Sequence, residues 1–239
     1  MGEHAVAIVT GATGLLGRVL VEVLSEDGYA VVAHGRRERP DGWPESVTYV
    51  AGDLRNDVDV APLVKAARNR GVVRALVNNA ADMDIGRRWP MAAADWAAML
   101  NASLLSTVRV TQALLPDMAA ESSIVNISSV EATSAFPHHA HYAAAKAALE
   151  SYTRSLALEL APRKIRANAL APGVIDRPGL ADSWPEGWSW WSRTCPLGRA
   201  ITAREVADVA AFLVSVRAAG VNGSVIPVDG GWSASARFS

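Results

Sequence analysis

The chain has 239 residues, of which half are hydrophobic and a fifth are charged, and its formal net charge is −1. Such a length and balance are typical of one globular α/β domain, here spanning residues 1–239. The near-neutral charge argues against nucleic acid or a membrane surface as a partner. The single cysteine, Cys195, excludes an internal disulfide and suits a reducing compartment. No signal peptide or membrane-spanning run is evident, so we expect a cytoplasmic protein.

Short apolar runs alternate along the chain with amphipathic or alanine-rich helical patterns. The predicted strands are Ala5–Thr10, Ala30–His34, Val47–Ala51, Ala75–Asn78, Ser123–Ser128, Ile165–Ala171 and Ser224–Val228. The predicted helices are Leu16–Glu26, Val60–Arg70, Ala93–Ala119, Tyr142–Ala161 and Ala203–Val216. This alternation predicts a parallel sheet with helices on both faces. The segment 176–202 is rich in Pro, Gly, Trp and Ser, and we expect an irregular substrate loop or lid there.

A glycine-rich loop joins the first predicted strand to the first helix. It reads Thr10-Gly11-Ala12-Thr13-Gly14-Leu15-Leu16-Gly17. Glycines permit a tight turn and let backbone N–H groups approach a pyrophosphate at the start of a helix. The alternative is a plain strand-to-helix turn. The place of the glycine-rich loop directly after the first strand favours a dinucleotide site.

The ends of the second and third predicted strands carry the next candidate ligands of a dinucleotide. Arg36 and Arg37 stand where a carboxylate would select NAD, and a guanidinium suits the 2′-phosphate of NADP(H). We therefore favour NADP(H) over NAD(H), although the same pair could be a solvated turn. Asp53, followed by Leu54, is placed to accept a hydrogen bond from the adenine amino group.

These motifs, with several later ones in the same order, resemble the short-chain dehydrogenase/reductase family. The later ones are Asn78-Asn79-Ala80-Ala81, Ser129, Tyr142-Ala143-Ala144-Ala145-Lys146, Pro172-Gly173-Val174-Ile175 and Val228-Asp229-Gly230-Gly231. The resemblance covers essentially the whole chain and favours the short, one-domain branch. It implies a Rossmann-type, doubly wound sheet of seven parallel strands in the order 3-2-1-4-5-6-7.

Tyr142 and Lys146 are four residues apart, so they share one face of a helix. An ammonium nearby favours the phenolate and lowers the phenol pKa, as an oxidised nicotinamide does, so that the phenol can exchange a proton with an alcohol or carbonyl oxygen. The resemblance implies that Ser129 orients the substrate oxygen and that Lys146 also holds the nicotinamide ribose. It places Asn79 and Ala80 along the adenosine and ribose path. Pro172, Gly173 and Ile175 would pass along the nicotinamide.

The sequence departs from the family pattern at three positions. Leu15 stands where the short branch has a glycine, so the glycine spacing is that of the extended branch. Ser103 occupies the position of the family's fourth catalytic residue, an Asn, and could replace it in part. Asn101 lies two residues earlier, about 200° around a regular helix. Arg177 replaces a Thr and could meet an anion or be exposed.

The residues expected to contact the substrate indicate its chemical class less specifically. Four tryptophans between 184 and 191 suit an aromatic or polycyclic ligand, or else pack as a lid or subunit contact. Glu131 and the histidines 138, 139 and 141 could wall the site, and no spacing suggests a metal site. We expect an NADPH-dependent reductase of a bulky or aromatic ketone, or the reverse alcohol oxidation, in a homo-oligomer (a dimer or tetramer). The alternatives are C=N reduction, as in pteridine reductases, and a non-catalytic NADP(H)-binding sensor or scaffold.

Overall fold

The computed structural model describes residues 5–82 and 89–235, and all seven predicted strands are present there. The strands are β1 Ala5–Val9, β2 Ala30–Gly35, β3 Thr48–Ala51, β4 Val72–Asn78, β5 Met118–Ile127, β6 Arg166–Pro172 and β7 Val225–Val228. They form one parallel sheet in the order β3-β2-β1-β4-β5-β6-β7, which confirms the predicted topology.

Helices cover both faces of this sheet. They are α1 Leu15–Glu26, α2 Val60–Arg70, α3 Ala93–Leu100, α4 Ser106–Leu114, α5 Ala140–Leu160, α6 Leu180–Ser183, α7 Pro185–Thr194 and α8 Ala203–Val214. Alternate residues of β1 point to opposite sides: Ala7 and Val9 pack with α1 and α8, whereas Val6 and Ile8 pack with α2, α4 and α5. The strands are therefore apolar throughout because both of their faces are buried.

The segment predicted as one helix from Ala93 to Ala119 is interrupted, which corrects that prediction. A π-helical turn, Asn101–Leu105, separates α3 from α4, and the chain enters β5 at Met118 after a 3₁₀ turn. The hydroxyls of Ser106 and Thr107 donate to the carbonyls of residues 102 and 103 beside the π turn. Pro116 lacks a backbone N–H and favours the end of a helix, a signal that the alanines around it obscured.

The segment 176–202 also differs from the prediction, because it is largely helical. It contains α6 and α7, and Pro185 occupies the first position of α7, where the missing N–H costs nothing. This helical hairpin packs on the carboxyl end of β6, because Trp191 lies against Gly173 directly after that strand.

The long helix α5 is fixed against the sheet by a chain of buried amides and hydroxyls. Asn78 Nδ2 donates to Asn126 Oδ1 at 2.9 Å, and Asn126 Nδ2 donates to Thr153 Oγ1 at 2.9 Å. Buried polar groups with partners of defined geometry specify one arrangement of the elements that carry them. These bonds set how α5 sits on β4 and β5. No helix in the described ranges is long and apolar enough to cross a membrane.

Candidate active site

The loop between β1 and α1 brings bare backbone to the carboxyl end of the sheet. Gly11 has a φ of +63°, and a Cβ there would lie 2.8 Å from Ala80 Cα. A Cβ on Gly17 would lie 2.2 Å from the carbonyl oxygen of Gly11, so α1 can start this close to the loop only with glycine. Thr10 Oγ1 accepts from the backbone N–H groups of Asn79 and Ala80, both at 3.0 Å, which ties the loop to the end of β4.

Leu15 is accommodated at the first position of α1 by facing outward. Gly14 is the residue before the helix, and the Leu15 side chain is 45% exposed and lines the cavity described below. The first N–H groups of a helix have no partner within it, so this end presents donors and a positive dipole to that cavity. The atypical glycine spacing therefore keeps the backbone geometry an anion needs.

Arginines surround the cavity where β2 and β3 end. Arg36 and Arg37 line it, and so does Arg55, which was not among the predicted residues. Asp53 accepts from Arg55 Nε at 2.9 Å, and this pairing lowers the pKa of the Asp53 carboxyl. The carboxylate expected to meet an adenine amino group is thus already engaged by an arginine, and this end of the cavity carries an excess of positive charge.

Tyr142, Lys146 and Ser129 come together at the middle of the cavity. Tyr142 and Lys146 lie on one face of α5, with the Lys146 Nζ 5.5 Å from the centroid of the Tyr142 ring. Lys146 Nζ donates to the carbonyl oxygen of Ile127 at 2.7 Å, which holds the ammonium at the end of β5. Ser129 follows β5, and its Oγ accepts from the backbone N–H of Glu131 at 3.2 Å.

Burial governs the protonation of these groups. Desolvation raises the pKa of Tyr142 above its ordinary value, the Glu131 charge adds to the rise, and a hydrogen bond with Ser129 opposes it. Burial also lowers the pKa of Lys146 to about 8. The neighbouring ammonium predicted a lowered phenol pKa. The opposite shift prevails in the structure, because burial destabilises the phenolate by more than the hydrogen bond with Ser129 stabilises it. Tyr142 is consequently a neutral phenol, the form that donates a proton.

Ser103 is fully buried and lies outside the residues that line the cavity. Its hydroxyl contacts the sulfur of Met99 at 3.5 Å, and its carbonyl accepts from Thr107. Asn101 is directed elsewhere, because its Oδ1 accepts from Arg109 at 2.7 Å. Ala102 within the π turn and Ser106 directly after it do line the cavity.

The tryptophans of the segment 176–202 divide into packing residues and a cavity wall. Trp191 is completely buried and stacks on Trp232 with ring centroids 5.5 Å apart. A Cβ on Gly173 would lie 2.7 Å from Trp191 Cη2, so the loop after β6 packs directly on this ring. Trp184 is 38% exposed and lines the cavity, as does Phe136, which meets Trp190 edge-on. The cluster therefore both packs the helical hairpin and gives the cavity an aromatic wall.

One cavity of about 1070 Å³ connects all of these features. Of the predicted catalytic and cofactor residues, Thr10 and Ser103 do not line it. Those that do are Gly11, Thr13, Gly14, Leu15, Leu16, Gly17, Arg36, Arg37, Asp53, Leu54, Asn79, Ala80, Ser129, Tyr142, Lys146, Pro172, Gly173 and Ile175. Arg55 could have been suspected from its place two residues after Asp53, whereas nothing in the sequence marks Phe136. Within residues 5–82 and 89–235, no cluster of His, Cys, Asp and Glu could hold a metal ion.

Comparison with known proteins gives consistent matches along the chain. A family model described as enoyl-(acyl carrier protein) reductase matches residues 11–233. The 3-oxoacyl-(acyl-carrier-protein) reductase FabG of Thermotoga maritima is 34% identical, over 96% of this chain and 98% of the relative. The L-xylulose reductase of Mus musculus is also 34% identical, over 95% of this chain and 96% of the relative.

Among solved structures, the ligand-free aldohexose dehydrogenase of Thermoplasma acidophilum superposes with a TM-score of 0.90. It is 29% identical, and the match covers 99% of this chain and 97% of that one. The matched range includes the three glycines of the loop and the Tyr142–Lys146 pair, and the superposed structure shares the fold. The chain therefore belongs to the short-chain dehydrogenase/reductase family of NAD(P)-dependent oxidoreductases.

Proposed function

We propose that the protein is an NADPH-dependent reductase of bulky or aromatic ketones, able to oxidise the corresponding secondary alcohols in reverse. The observation that carries this proposal is the buried, neutral phenol of Tyr142 between an arginine-lined end of the cavity and an aromatic wall. A neutral phenol is ready to protonate the oxygen of a carbonyl as that oxygen gains negative charge.

The residues that line the cavity fit a nicotinamide dinucleotide. The bare backbone at Gly11, Gly14 and Gly17 suits the pyrophosphate, and the Arg36–Arg37 pair suits a 2′-phosphate. Along the rest of the path we propose Thr13, Leu15, Leu16, Asp53, Leu54, Asn79 and Ala80 on the adenosine side, and Pro172, Gly173 and Ile175 on the nicotinamide side. Thr10 supports this path from behind the loop. Bound there, the cofactor supplies the hydride.

The chain's own residues would manage the proton and the substrate oxygen. Ser129 holds the carbonyl oxygen, and Tyr142 donates a proton to it. Lys146, anchored by the Ile127 carbonyl, holds the nicotinamide ribose and its charge stabilises the phenolate left behind. For Ser103 we propose a supporting role only, through the π turn that shapes the wall below Tyr142, because its hydroxyl contacts Met99.

The cofactor preference is tested by replacing Arg36 and Arg37 with Ala. Loss of two charge-assisted contacts to a phosphate should reduce kcat/KM for NADPH at least about tenfold. The value for NADH should change much less. Arg39→Ala is the matched control, because Arg39 donates to the carbonyls of residues 43 and 44 and does not line the cavity. Equal losses with both cofactors, or the same loss in Arg39→Ala, would overturn the assignment.

The reaction is tested by following NADPH consumption with a panel of carbonyl compounds. The panel holds cyclic and aryl ketones, and also L-xylulose, a 3-oxoacyl-(acyl-carrier-protein) and a dihydropterin. We expect turnover of the bulky ketones and a loss of about 10²–10⁴-fold in Tyr142→Phe. Turnover confined to the dihydropterin would support C=N reduction instead, and tight NADPH binding without any turnover would support a sensor or scaffold.

The remaining features are the domain organisation, the compartment and the oligomeric state of the protein. We propose that residues 1–239 act as one domain with 176–202 as its substrate lid. The single cysteine favours the cytosol. We also propose a homo-oligomer, a dimer or tetramer, for which the outer face of α5 is the candidate contact.

A further inference from the structure

A carboxylate and an imidazole face the cavity beside the three central residues. Glu131 follows Ser129 by two positions, and His139 precedes Tyr142 by three. His139 Nδ1 lies 2.9 Å from Glu131 Oε2, and both residues line the cavity. The Glu131 side chain is 15% exposed and the His139 side chain is 22% exposed, so both are largely buried.

The position of the pair is fixed from both sides. The backbone N–H of Glu131 donates to Ser129 Oγ at 3.2 Å, so the carboxylate starts from the residue proposed to hold the substrate oxygen. The His139 ring stacks on Phe136 with an interplanar angle of 20° and ring centroids 6.3 Å apart. His139 occupies Glu131 Oε2, and among the described residues no hydrogen bond is made to Oε1. Because Glu131 lines the cavity, Oε1 can accept a hydrogen bond from a donor that enters it.

We propose that Glu131, held by His139, binds a hydroxyl on the carbon next to the reacting carbonyl, so that the substrates are α-hydroxy ketones and, in reverse, vicinal diols. This inference rests on the proposed function and narrows its substrate class. A hydroxyl donates to the carboxylate, while the neighbouring carbonyl oxygen reaches Ser129 and Tyr142.

The charges around the pair favour a neutral donor over the alternatives. Lys146 is buried close enough for its charge to act on Glu131, and an oxidised nicotinamide would add a second positive charge. A cationic substrate group would be repelled by both positive charges. An anionic substrate group would be repelled by the Glu131 carboxylate. A hydroxyl donates a hydrogen bond to Glu131 Oε1 without adding a charge beside Glu131 and Lys146.

The test compares 2-hydroxyacetophenone with acetophenone, which differ by the hydroxyl alone. With NADPH, the wild type should show a kcat/KM ratio of at least about tenfold in favour of the hydroxy ketone, as expected for a hydrogen bond to a charged group. In Glu131→Leu the ratio should fall to near one. In Glu131→Gln, which keeps an acceptor but removes the charge, it should lie between. An unchanged ratio in Glu131→Leu, or a wild-type ratio of one or below, overturns the proposal.

His139 is a positioning residue, so its variants should separate KM from kcat. His139→Ala should raise the KM for the hydroxy ketone several-fold, with a smaller change in kcat and no change in the KM for acetophenone. The matched control is Thr133→Ala, which changes an exposed side chain between Glu131 and His139 that does not line the cavity. An equal rise in KM for both ketones, or an equal effect of Thr133→Ala, overturns the role of His139.

Binding separates this inference from the proposed function. Calorimetric titration of the protein loaded with NADP⁺ measures the affinities for the two ketones without requiring turnover. If neither ketone is reduced, tighter binding of the hydroxy ketone that is lost in Glu131→Leu still supports the pair as its site, and only the proposed reaction fails. Equal affinities of the two ketones in the wild type overturn the inference.

Discussion

Lys146 is a buried cation, and its burial lowers the free energy of unfolding in the pH range where it is charged. Burial lowers its pKa from an ordinary 10.5 to about 8, so below pH 8 the folded protein carries a charge that it would be more stable without. In the unfolded chain the lysine keeps its proton up to about pH 10.4. Between these values the unfolded state binds more protons than the folded state, and stability rises with pH.

We therefore expect the wild type to gain stability between pH 8 and 10 relative to Lys146→Met, which cannot titrate. Urea unfolding at a series of pH values measures the difference in unfolding free energy between the two proteins. Lys65→Met is the control, because it removes an exposed lysine from α2 by the same substitution. A difference between wild type and Lys146→Met that stays flat over this range would contradict the buried-charge argument.

At the residue scale, the sequence predicted which side chains lie together in the site, but not how burial changes their pKa values. The spacing of Tyr142 and Lys146 on one helix and the place of Ser129 after β5 follow from local geometry. The raised pKa of Tyr142 does not, because it depends on how tightly distant segments exclude water from the phenol. Phe136 reaches the cavity through the path of its loop, which no local pattern records.

Among the elements, α7 has a defined role in the cavity wall. A Cβ on Gly187 would lie 1.6 Å from Trp184 Cε2, so the indole ring lies directly against this glycine. The Trp184 ring can occupy its place at the cavity only because residue 187 has no side chain.

Gly187→Ala should therefore displace the Trp184 ring while α7 itself accepts the alanine. Losing one aromatic contact should raise the KM for a bulky aromatic ketone roughly two- to tenfold, with a smaller change in kcat. Gly220→Ala is the matched control, because a Cβ there meets no atom within 4 Å. Steady-state kinetics of the two variants make the comparison, and equal KM values would show that Trp184 does not contact the substrate.

Helix α8 depends on its first turn for stability. Thr202 Oγ1 accepts from the backbone N–H of Glu205, and the Glu205 carboxylate accepts from the backbone N–H of Thr202. Arg199 also pairs with this carboxylate and lowers its pKa to about 2. Both orphan N–H groups are thus satisfied by a reciprocal cap.

Thr202→Ala should lower the unfolding free energy by about 1 kcal/mol and the Tm by about 2–4 °C. Differential scanning calorimetry gives both values. Thr194→Ala removes an exposed hydroxyl from α7 without removing a cap, and it should stay within about 0.5 kcal/mol of the wild type. If the two variants were equally stable, the capping box would not contribute to the fold.

At the element scale, helices with a clear apolar period were predicted well, whereas two segments were wrong for different reasons. The π turn at Asn101–Leu105 preserves helical composition, so the sequence shows no break there. The stretch that forms α7 has few strong helix formers, and the packing of Trp191 on Trp232 stabilises it where propensity does not. In both segments, tertiary contacts outweighed the local pattern.

The strand order explains, at the scale of the whole molecule, why residues distant in sequence share one cavity. The chain leaves β1 for β2 on one side and returns to β4 on the other, so the ends of β1 and β4 border the point where the direction of winding reverses. Loops there diverge and leave a crevice at the carboxyl ends of the strands. The alternation of strands and helices predicted this crevice, whereas the composition of 176–202 predicted an irregular loop there and not the helices α6 and α7.

The outer face of α5 is the whole-molecule feature that the isolated chain leaves unexplained. Ala144, Ser151, Ser155 and Leu158 recur at helical spacing and are all exposed, and Leu158 is 79% exposed. Small residues with one large apolar side chain suit close packing against a second copy of the same helix. We propose that two copies pair across this face about a two-fold axis.

Leu158→Asp should then place two like charges in or near a buried contact and dissociate the assembly. Light scattering coupled to size-exclusion chromatography should report a halved mass for this variant. Val58→Asp is the matched control, since Val58 is 78% exposed but lies before α2, away from α5. A monomeric wild type, or an unchanged mass in Leu158→Asp, would remove α5 as the contact. A reduced mass confined to that variant would show that the helix carrying Tyr142 and Lys146 is supported from outside by the partner copy.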